Sequence, residues 1–244
     1  MHMFFVKPEQ IRDGRVRITG PDVNHIRNVL RMKPGEWVRV SDETDFCGQC
    51  RVEKLLEDRI VLTVEEKVRS TELPAEITLF QGLPKGDKME WIVQKNTELG
   101  VSRIVPVAMK RSVVRLDGKK AADRVSRWQA VAQSAGKQAG RTRLPDVSPV
   151  ISFSQALKEA DGMDLLLLPY ESAEGMAAAR ERLASARPGM RIGILIGPEG
   201  GFEPSEVETA VQAGWKVLSL GPRILRTETA GMTVAAALML MLEP

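Results

Sequence analysis

The stretch that decides the fold is Ile192-Gly193-Ile194-Leu195-Ile196, followed directly by the loop Gly197-Pro198-Glu199-Gly200-Gly201-Phe202. A continuous apolar run of this kind is typical of a strand buried on both faces, as in a parallel sheet covered by helices. After the loop, Pro204 suits the first turn of a helix and Gly214 suits its end. The sequence therefore predicts a strand, a glycine loop and a helix in succession, which is the repeating unit of an α/β domain.

The same alternation of strands and helices extends from residue 75 to residue 244. Apolar runs predict the strands, and periodic or continuous apolar segments predict the helices between and after them. The strands are predicted at 77–80, 104–107, 165–168, 192–196 and 217–220, and the helices at 87–99, 121–139 and 230–242. We therefore predict an α/β domain over residues 75–244.

The first 70 residues follow a different pattern, with short alternating stretches that favour strands. Strands are predicted at 16–18, 37–40 and 60–64, and one helix at 22–32 is ended by Pro34-Gly35. Short strands joined by turns and one small helix predict a compact β-barrel over residues 1–70. The polar stretch 69–74 is the predicted linker.

Composition excludes several classes of protein. The 244 residues are 43% hydrophobic and 27% charged, which is the ordinary balance of a globular chain. Two cysteines are too few for a disulfide framework, so we expect a reducing, cytoplasmic setting. His2 and His25 are the two histidines, which excludes a histidine-rich metal site. The apolar run 230–242 is too short to span a bilayer, and residues 1–8 are not expected to be a targeting segment.

Basic residues are concentrated in one segment of the chain. The formal net charge is +3, yet residues 110–143 hold ten basic and two acidic residues, a local charge of +8. Such a field suits a polyanion, because each neutralised phosphate releases counterions. The alternative is a solvated basic helix surface. Trp128 is the one aromatic residue in this segment, so a base-stacking platform is not indicated.

Three loops that contain proline follow the last three predicted strands, and they begin at Pro169, Gly197 and Gly221. In open α/β sheets, ligands bind outside the carboxyl ends of the strands, so we expect these loops to form a binding site. The glycines of the second loop allow a ligand to approach the backbone closely. That loop matches neither common nucleotide-binding motif, and a tight strand-to-helix turn is the alternative.

The third loop places Arg223, Arg226 and Glu228 directly before the apolar terminal helix. Charges beside a buried helix need partners. One interpretation is that Arg226 and Glu228 pair with each other or cap the helix. The other is that they face a substrate.

The second and third loops together carry a family resemblance. Gly197-Pro198-Glu199-Gly200-Gly201-Phe202 and the segment 220–230, LGPRILRTETA, resemble the 16S rRNA (uracil-N3)-methyltransferase family of the SPOUT superfamily. Segments 81–89, 94–101, 111–114 and 138–141 match the middle part of that family, and 25–31 is similar to its RNA-binding domain. The resemblance covers nearly the whole chain, and the motifs are highly specific as a set.

The resemblance implies a fold, an assembly and a reaction. The implied fold is α/β, with a small amino-terminal PUA-like β-barrel and a carboxy-terminal SPOUT domain that contains a deep trefoil knot. The implied assembly is a homodimer with the cofactor bound in the knot, near the partner subunit. The implied reaction transfers a methyl group from S-adenosylmethionine to N3 of uridine 1498 in 16S rRNA, on the assembled 30S subunit. No metal is implied, because the sulfonium already activates the methyl group.

Given this resemblance, we predict that backbone and apolar atoms of the three loops bind the cofactor. The predicted cofactor-binding residues are Leu168, Pro169, Ile196, Gly197, Gly200, Gly201, Leu220, Gly221, Ile224, Leu225, Thr229 and Ala230.

The reaction must also remove the N3 proton. Arg226 is predicted to stabilise the uracil imidate or to bind its phosphate. Glu199 or Glu228 is predicted to accept the proton, provided that burial raises its pKa. The alternative for both glutamates is a structural role, as acceptors for loop amides or as partners of arginine.

Basic side chains are the predicted phosphate contacts, although some are expected to be ordinary solvated charges. The predicted RNA-binding residues are Arg27, Arg31, Lys85, Lys88, Arg111, Arg115, Arg141 and Arg143.

Three other functions stay open: a non-catalytic ribosome-assembly protein, a nucleotide-dependent enzyme, and the same fold acting on another RNA. The pair Cys47-Gly48-Gln49-Cys50 lacks the second pair that a zinc site needs, and it lies among predicted strands rather than at a helix start. We interpret it as incidental.

Overall fold

The computed structural model describes residues 1–171 and 175–243. The chain divides into two compact units, the first formed by residues 1–72 and 136–144 and the second by the rest of the chain. The boundary between the predicted domains, 1–70 and 75–244, lies close to residue 72, where the first segment of the amino-terminal unit ends. The prediction did not place residues 136–144 in the amino-terminal unit.

The amino-terminal unit is built on a six-stranded sheet with the order β1-β4-β5-β6-β3-β2. β1 pairs with β4 in parallel, and the other neighbours are antiparallel. The strands are β1 His2–Phe5, β2 Ile11–Arg12, β3 Arg15–Thr19, β4 Trp37–Ser41, β5 Cys47–Leu55 and β6 Arg59–Lys67. A 3₁₀ turn spans Pro8–Gln10, and helix α1 (Pro21–Asn24) continues as a π-helical turn over His25–Val29.

The core of this unit follows from the alternation along its strands. In β3, Val16 and Ile18 are buried while the residues between and beside them are exposed, as a sheet with one covered face requires. They pack with Ile60, Leu62 and Ile26 in one apolar cluster. The three predicted strands are confirmed. The predicted helix 22–32 is shorter, at 21–29, because Arg31 adopts a left-handed backbone conformation with φ of 52°.

Glu72 holds the segment 136–144 within the amino-terminal unit. Its carboxylate accepts hydrogen bonds from Arg141 Nε at 2.9 Å and from the backbone amides of Thr142 at 2.9 Å and Arg143 at 3.0 Å. Ser41 Oγ also donates to the Thr142 carbonyl at 2.6 Å. Burial raises the pKa of Glu72, but the hydrogen bonds and charge of Arg141 and the two amides outweigh it, so the pKa lies below its ordinary value.

The carboxy-terminal unit is built on an all-parallel sheet with the order β10-β8-β7-β12-β11-β13, and β9 also pairs with β8. The strands are β7 Glu76–Gly82, β8 Arg103–Ala108, β9 Asp146–Val147, β10 Ile151–Ser152, β11 Leu165–Pro169, β12 Arg191–Ile196 and β13 Lys216–Leu218. The helices are α2 Lys88–Glu98, α3 Gly118–Ala139, α4 Phe153–Glu159, α5 Met176–Ala184, α6 Pro204–Gln212 and α7 Thr227–Leu242. The last residues of α3, from 136, belong to the amino-terminal unit.

Both faces of this sheet are covered by apolar side chains. Leu79 and Ile194 belong to one buried cluster, whereas their neighbours Phe80 and Leu195 belong to a second. This explains the continuous apolar run at 192–196, since every position of the strand faces a packed layer. The α/β fold class is confirmed, as are the predicted strands and helices of this unit, except that β13 ends at Leu218 and α7 begins at Thr227.

Short elements escaped prediction. β1, β2, β9 and β10 have two to four residues and α4 has seven, too few to establish a periodicity. β5 and α5, with nine residues each, were also not predicted. The trefoil knot, which concerns how the chain threads through itself, stays a prediction. No helix within residues 1–171 and 175–243 has the length and apolar character needed to cross a membrane.

Candidate functional site

A cavity of about 560 Å³ lies at the carboxyl edge of the parallel sheet. Loops that follow β11, β12 and β13, three neighbouring strands, form most of its wall. Lys88 and Arg111, which follow β7 and β8, complete it. The cavity is lined by Lys88, Arg111, 169–171, 196–202, 220–227 and Ala230. The site thus lies where the open parallel sheet predicts it.

Most of the predicted cofactor-binding residues line this cavity. Those that do are Pro169, Ile196, Gly197, Gly200, Gly201, Leu220, Gly221, Ile224, Leu225 and Ala230. Leu168 does not, because its side chain is buried in the apolar cluster under the sheet. Thr229 lies in the first turn of α7, where its amide donates to the Arg226 carbonyl at 2.8 Å.

The glycine loop is folded tightly on itself. The Gly201 amide donates to the Pro198 carbonyl at 2.9 Å, and Gly201 has a φ of 67° that favours glycine. A Cβ atom at Gly197 would approach the Gly201 carbonyl carbon to 3.1 Å and Phe202 Cε2 to 3.2 Å. Glycine at these positions lets the backbone itself form the wall of the cavity.

Lys88 joins two of the predicted catalytic carboxylates. Its Nζ lies 3.0 Å from Glu199 Oε1 and 3.3 Å from Glu228 Oε2. The Glu199 carboxylate also accepts from the Lys85 amide at 3.0 Å. The side chains of Lys88, Glu199 and Glu228 are 33%, 27% and 16% exposed, so the cluster is sheltered from solvent. Lys88 and Glu199 line the cavity, whereas Glu228 is not one of its lining residues and meets it through Lys88.

The pKa of Glu199 is shifted downwards, whereas a role as proton acceptor was predicted to need a raised pKa. Burial raises its pKa, but hydrogen bonds from its own amide and that of Lys85, together with the Lys88 ammonium, lower the pKa below its ordinary value. The side-chain contacts of Lys88 with Glu199 and Glu228 raise the pKa of the lysine in turn. Glu199 is therefore a weak proton acceptor in this structure, and its contacts are those of the structural alternative.

Arg226 is the residue that precedes α7, and its side chain is 81% exposed. Its nearer guanidinium nitrogen, Nη1, lies 4.0 Å from Glu228 Oε1, at the limit of an ion pair. The guanidinium is thus free to meet a ligand at the cavity that Arg226 lines.

Arg111 connects the chain after β8 to the glycine loop. Its Nε donates to Glu203 Oε1 at 2.8 Å, and Nη1 donates to the Gly200 carbonyl at 3.0 Å. The hydrogen bond that Arg111 donates to Glu203 is the main reason that the pKa of Arg111 is raised. These contacts hold the loop at the start of α6 and give Arg111 a role that its prediction as a phosphate contact did not include.

The remaining predicted RNA-binding residues separate into exposed and buried side chains. Arg27, Arg31, Lys85, Arg115 and Arg143 are exposed. Arg27 donates to the Leu56 carbonyl at 3.2 Å, and Arg143 donates to the Glu43 carbonyl at 3.1 Å.

Arg141 requires a correction to this set. It is only 4% exposed, and its guanidinium is held by Glu72. A buried and paired guanidinium is not presented to a phosphate, so the structure assigns Arg141 to the stability of the amino-terminal unit.

Several residues of the site were not singled out from the sequence. Tyr170, Phe202 and Thr227 line the cavity, and the signal for them was their position inside the three loops. Gln81 approaches the same loops from β7, through a hydrogen bond to Thr227 at 2.9 Å. No local pattern marks Gln81, because its partner is 146 residues away.

The cysteine pair lies in β5, away from the cavity lining. Cys47 and Cys50 are both buried, and burial raises the pKa of Cys50 to about 12. A thiol with so high a pKa is a poor nucleophile and a poor metal ligand at neutral pH. Over residues 1–171 and 175–243, no three His, Cys, Asp or Glu side chains are grouped as a metal site would require.

Family models and relatives match almost the full chain. Residues 71–239 match a family described as an RNA methyltransferase domain, and residues 18–65 match an RNA methyltransferase PUA domain. The ribosomal RNA small subunit methyltransferase E of Bacillus subtilis is 38% identical over 98% of this chain and 96% of the relative. The enzyme of the same name from Synechocystis is 30% identical over 98% and 77%.

A solved structure is also similar. The crystal structure of a ribosomal RNA small subunit methyltransferase E from Neisseria gonorrhoeae, bound to S-adenosyl methionine, superposes with a TM-score of 0.84. It is 34% identical, and the match covers 98% of this chain and 97% of that one.

Proposed function

This chain belongs to the RNA methyltransferase family, and from that premise we propose that it methylates N3 of uridine 1498 in 16S rRNA, on the assembled small subunit. It is an S-adenosylmethionine-dependent enzyme that acts on RNA. The observation that carries the finer proposal is the 38% identity, over 98% of the chain, to a small-subunit rRNA methyltransferase. The substrate also suggests a cytoplasmic location, where ribosomal subunits assemble.

The cavity fits S-adenosylmethionine. Its volume of about 560 Å³ lies in the range of small-molecule sites. Glycine backbone and the aliphatic side chains of Ile196, Leu220 and Leu225 suit an adenosine, and the carboxylates of Glu171 and Glu199 suit a cation. When bound there, the cofactor supplies a methyl group activated by its sulfonium.

Different residues at or beside the cavity are proposed to stabilise the uracil imidate and to accept its proton. The neutral imide nitrogen of uracil is a poor nucleophile, so N3 must lose its proton as it forms the new bond. We assign to Arg226 the stabilisation of the imidate oxygen, since its guanidinium is exposed at the cavity. Of the two carboxylates, Glu228 is the better candidate to accept the proton, because Lys88 pairs with both but the Lys85 amide donates to Glu199 alone.

RNA binding is assigned to the exposed basic residues and the PUA domain. Arg27, Arg31, Lys85, Arg115 and Arg143 are exposed, and we propose them as the phosphate contacts. Such contacts add affinity that weakens with salt, and they do not act on the cofactor site.

A homodimer is proposed from the apolar side chains that the described residues leave exposed around α7. Ile224 is 84% exposed, Leu240 76% and Trp91 50%. Leu240 lies on α7, Trp91 on α2, which packs against α7, and Ile224 in the loop before α7, and we propose these side chains as interface contacts. Light scattering of the purified protein should give a mass of two chains, and a mass of one chain at working concentration would contradict the proposal.

The decisive experiment uses deuterated S-adenosylmethionine and small subunits from cells that lack this gene. The rRNA is digested and searched by mass spectrometry for labelled 3-methyluridine, with naked rRNA and tRNA in parallel. We expect label from the subunit, and strongly reduced label with Arg226→Ala at unchanged cofactor affinity. Label in another nucleoside, or only in tRNA, would overturn the proposed specificity. Cofactor binding without any label would favour an assembly factor.

A further inference from the structure

A series of buried hydrogen bonds joins β7 to two of the cavity loops. Gln81, the residue before the end of β7, is 0% exposed, and Thr227, the first residue of α7, is 6% exposed. The Gln81 side-chain amide donates to Thr227 Oγ1 at 2.9 Å. Thr227 Oγ1 in turn donates to the Gly197 carbonyl at 2.6 Å.

The direction of these hydrogen bonds is set by the available hydrogens. The Thr227 hydroxyl has one hydrogen, which goes to Gly197, so the hydroxyl must accept from Gln81. The second amide hydrogen of Gln81 goes to the Gly82 carbonyl at 3.0 Å. Each bond polarises the next in this buried environment, which strengthens the series of hydrogen bonds as a unit.

This series of hydrogen bonds fixes the glycine loop and the third loop, two of the three loops that form most of the cavity wall. Gly197 begins the glycine loop and Thr227 ends the third loop, and both line the cavity. The loop also packs directly on β7, because a Cβ atom at Gly82 would lie 2.7 Å from Pro198 Cδ and 2.7 Å from its nitrogen. The position of the Gly197 carbonyl relative to the third loop therefore depends on the Thr227 hydroxyl, which Gln81 orients.

We propose that Gln81 and Thr227 are positioning residues that set the spacing of the two cofactor-binding loops through the Gly197 carbonyl. The inference rests on the proposed use of this cavity for S-adenosylmethionine. Loops that hold a ligand by backbone atoms leave little tolerance for displacement, and a shift of about 1 Å can change function by large factors. Removing the hydroxyl also leaves the Gln81 amide and the Gly197 carbonyl without their buried partner.

The test compares three threonine variants by calorimetric titration of S-adenosylmethionine. Thr227→Val keeps the shape and removes the hydroxyl, and we expect about tenfold weaker binding or more. Thr227→Ser keeps the hydroxyl and should bind within about threefold of the unchanged protein. Thr233→Val is the matched control, because Thr233 is exposed on the same helix and donates only to the Thr229 carbonyl, at 2.9 Å. It should bind normally.

A second variant and a stability readout separate positioning from folding. Gln81→Met removes the amide at similar length and should also weaken binding, with less than additive loss when combined with Thr227→Val, since both act through one chain of bonds. The melting temperature of each variant is measured in parallel. If Thr227→Val lowers the melting temperature but binds the cofactor like the unchanged protein, the proposal is wrong.

If Thr227→Val does not fold, the test rests on Gln81→Met: cofactor affinity equal to that of the unchanged protein would then contradict the proposal. Since binding is measured without RNA, failure of the rRNA assay would refute the proposed substrate and leave this inference intact.

Discussion

Two clusters of carboxylates and basic side chains are built from the same residue types in different surroundings. In the amino-terminal unit, Glu72 holds Arg141, which is 4% exposed, and also accepts two backbone amides. At the cavity, Lys88 is 33% exposed and lies between Glu199 and Glu228. Arg141 and Lys88 were both predicted to contact RNA, and the sequence around them does not distinguish them.

The difference lies in what surrounds each charge. A buried ion with backbone partners is costly to leave unpaired, whereas a sheltered but accessible one can exchange its partner for a ligand. We therefore expect substitutions in the Glu72 cluster to lower the free energy of unfolding, and substitutions in the Lys88 cluster to lower the rate of methyl transfer. Four predictions test this contrast, from the largest expected effect to the smallest.

Glu72→Gln should destabilise the amino-terminal unit by roughly 3–5 kcal/mol, because the buried Arg141 guanidinium would lose its ion pair with Glu72. Urea unfolding followed by circular dichroism measures the loss. Glu53→Gln is the control, because Glu53 pairs with Arg15 at an exposed site and should leave the transition unchanged. Equal transitions for both variants would mean that the Glu72 cluster is no more structural than a surface pair.

Lys88→Met should lower methyl transfer roughly 100-fold with little change in melting temperature, because Glu199 and Glu228 would lose the cation between them. Initial rates of methyl transfer and melting curves, measured side by side for the two proteins, test this expectation.

The control for this variant is Lys88→Arg, which keeps the charge and should retain most of the activity. Unchanged turnover in Lys88→Met would show that the cluster has no part in the reaction.

Acid should destabilise the amino-terminal unit through Glu72. The folded pKa of this carboxyl is lower than its ordinary value of 4.5, so the folded state binds the proton less readily than the unfolded state. Its contribution is complete above pH 4.5 and is lost as the pH falls through the lower, folded pKa. The urea concentration at the midpoint of unfolding, measured between pH 7 and pH 3, should decrease as the pH drops below 4.5. In Glu72→Gln this decrease should be smaller. A parallel fall in both proteins would assign the acid sensitivity to other groups.

Arg115→Ala should have the smallest effect, a few-fold weaker binding of rRNA. Arg115 is exposed in the basic segment, so its loss should reduce the slope of log affinity against log salt by about one phosphate contact, with cofactor affinity unchanged. Arg180→Ala, an exposed arginine on α5 outside that segment, is the control. Identical salt slopes for the two variants would show that Arg115 does not contact phosphate.

The sequence alone determined most strands of the parallel sheet and the place of the site. Apolar runs such as 192–196 mark strands covered on both faces, and the loops after them must lie together at one edge because the strands are parallel. Gly197, Gly201 and Leu225 could therefore be expected beside one another, and they line one cavity. These features are local in the chain or follow directly from strand direction.

The partners of the polar side chains were decided only by the tertiary structure. Arg141 meets Glu72 across 69 residues, Arg111 meets Glu203 across 92, and Gln81 meets Thr227 across 146. No periodicity connects such positions, because they are brought together by the order of strands in the sheet and the packing of loops at its edge. Whether a charge supports the fold or serves the site depends on that environment, since burial and the number of partners set the cost of releasing it.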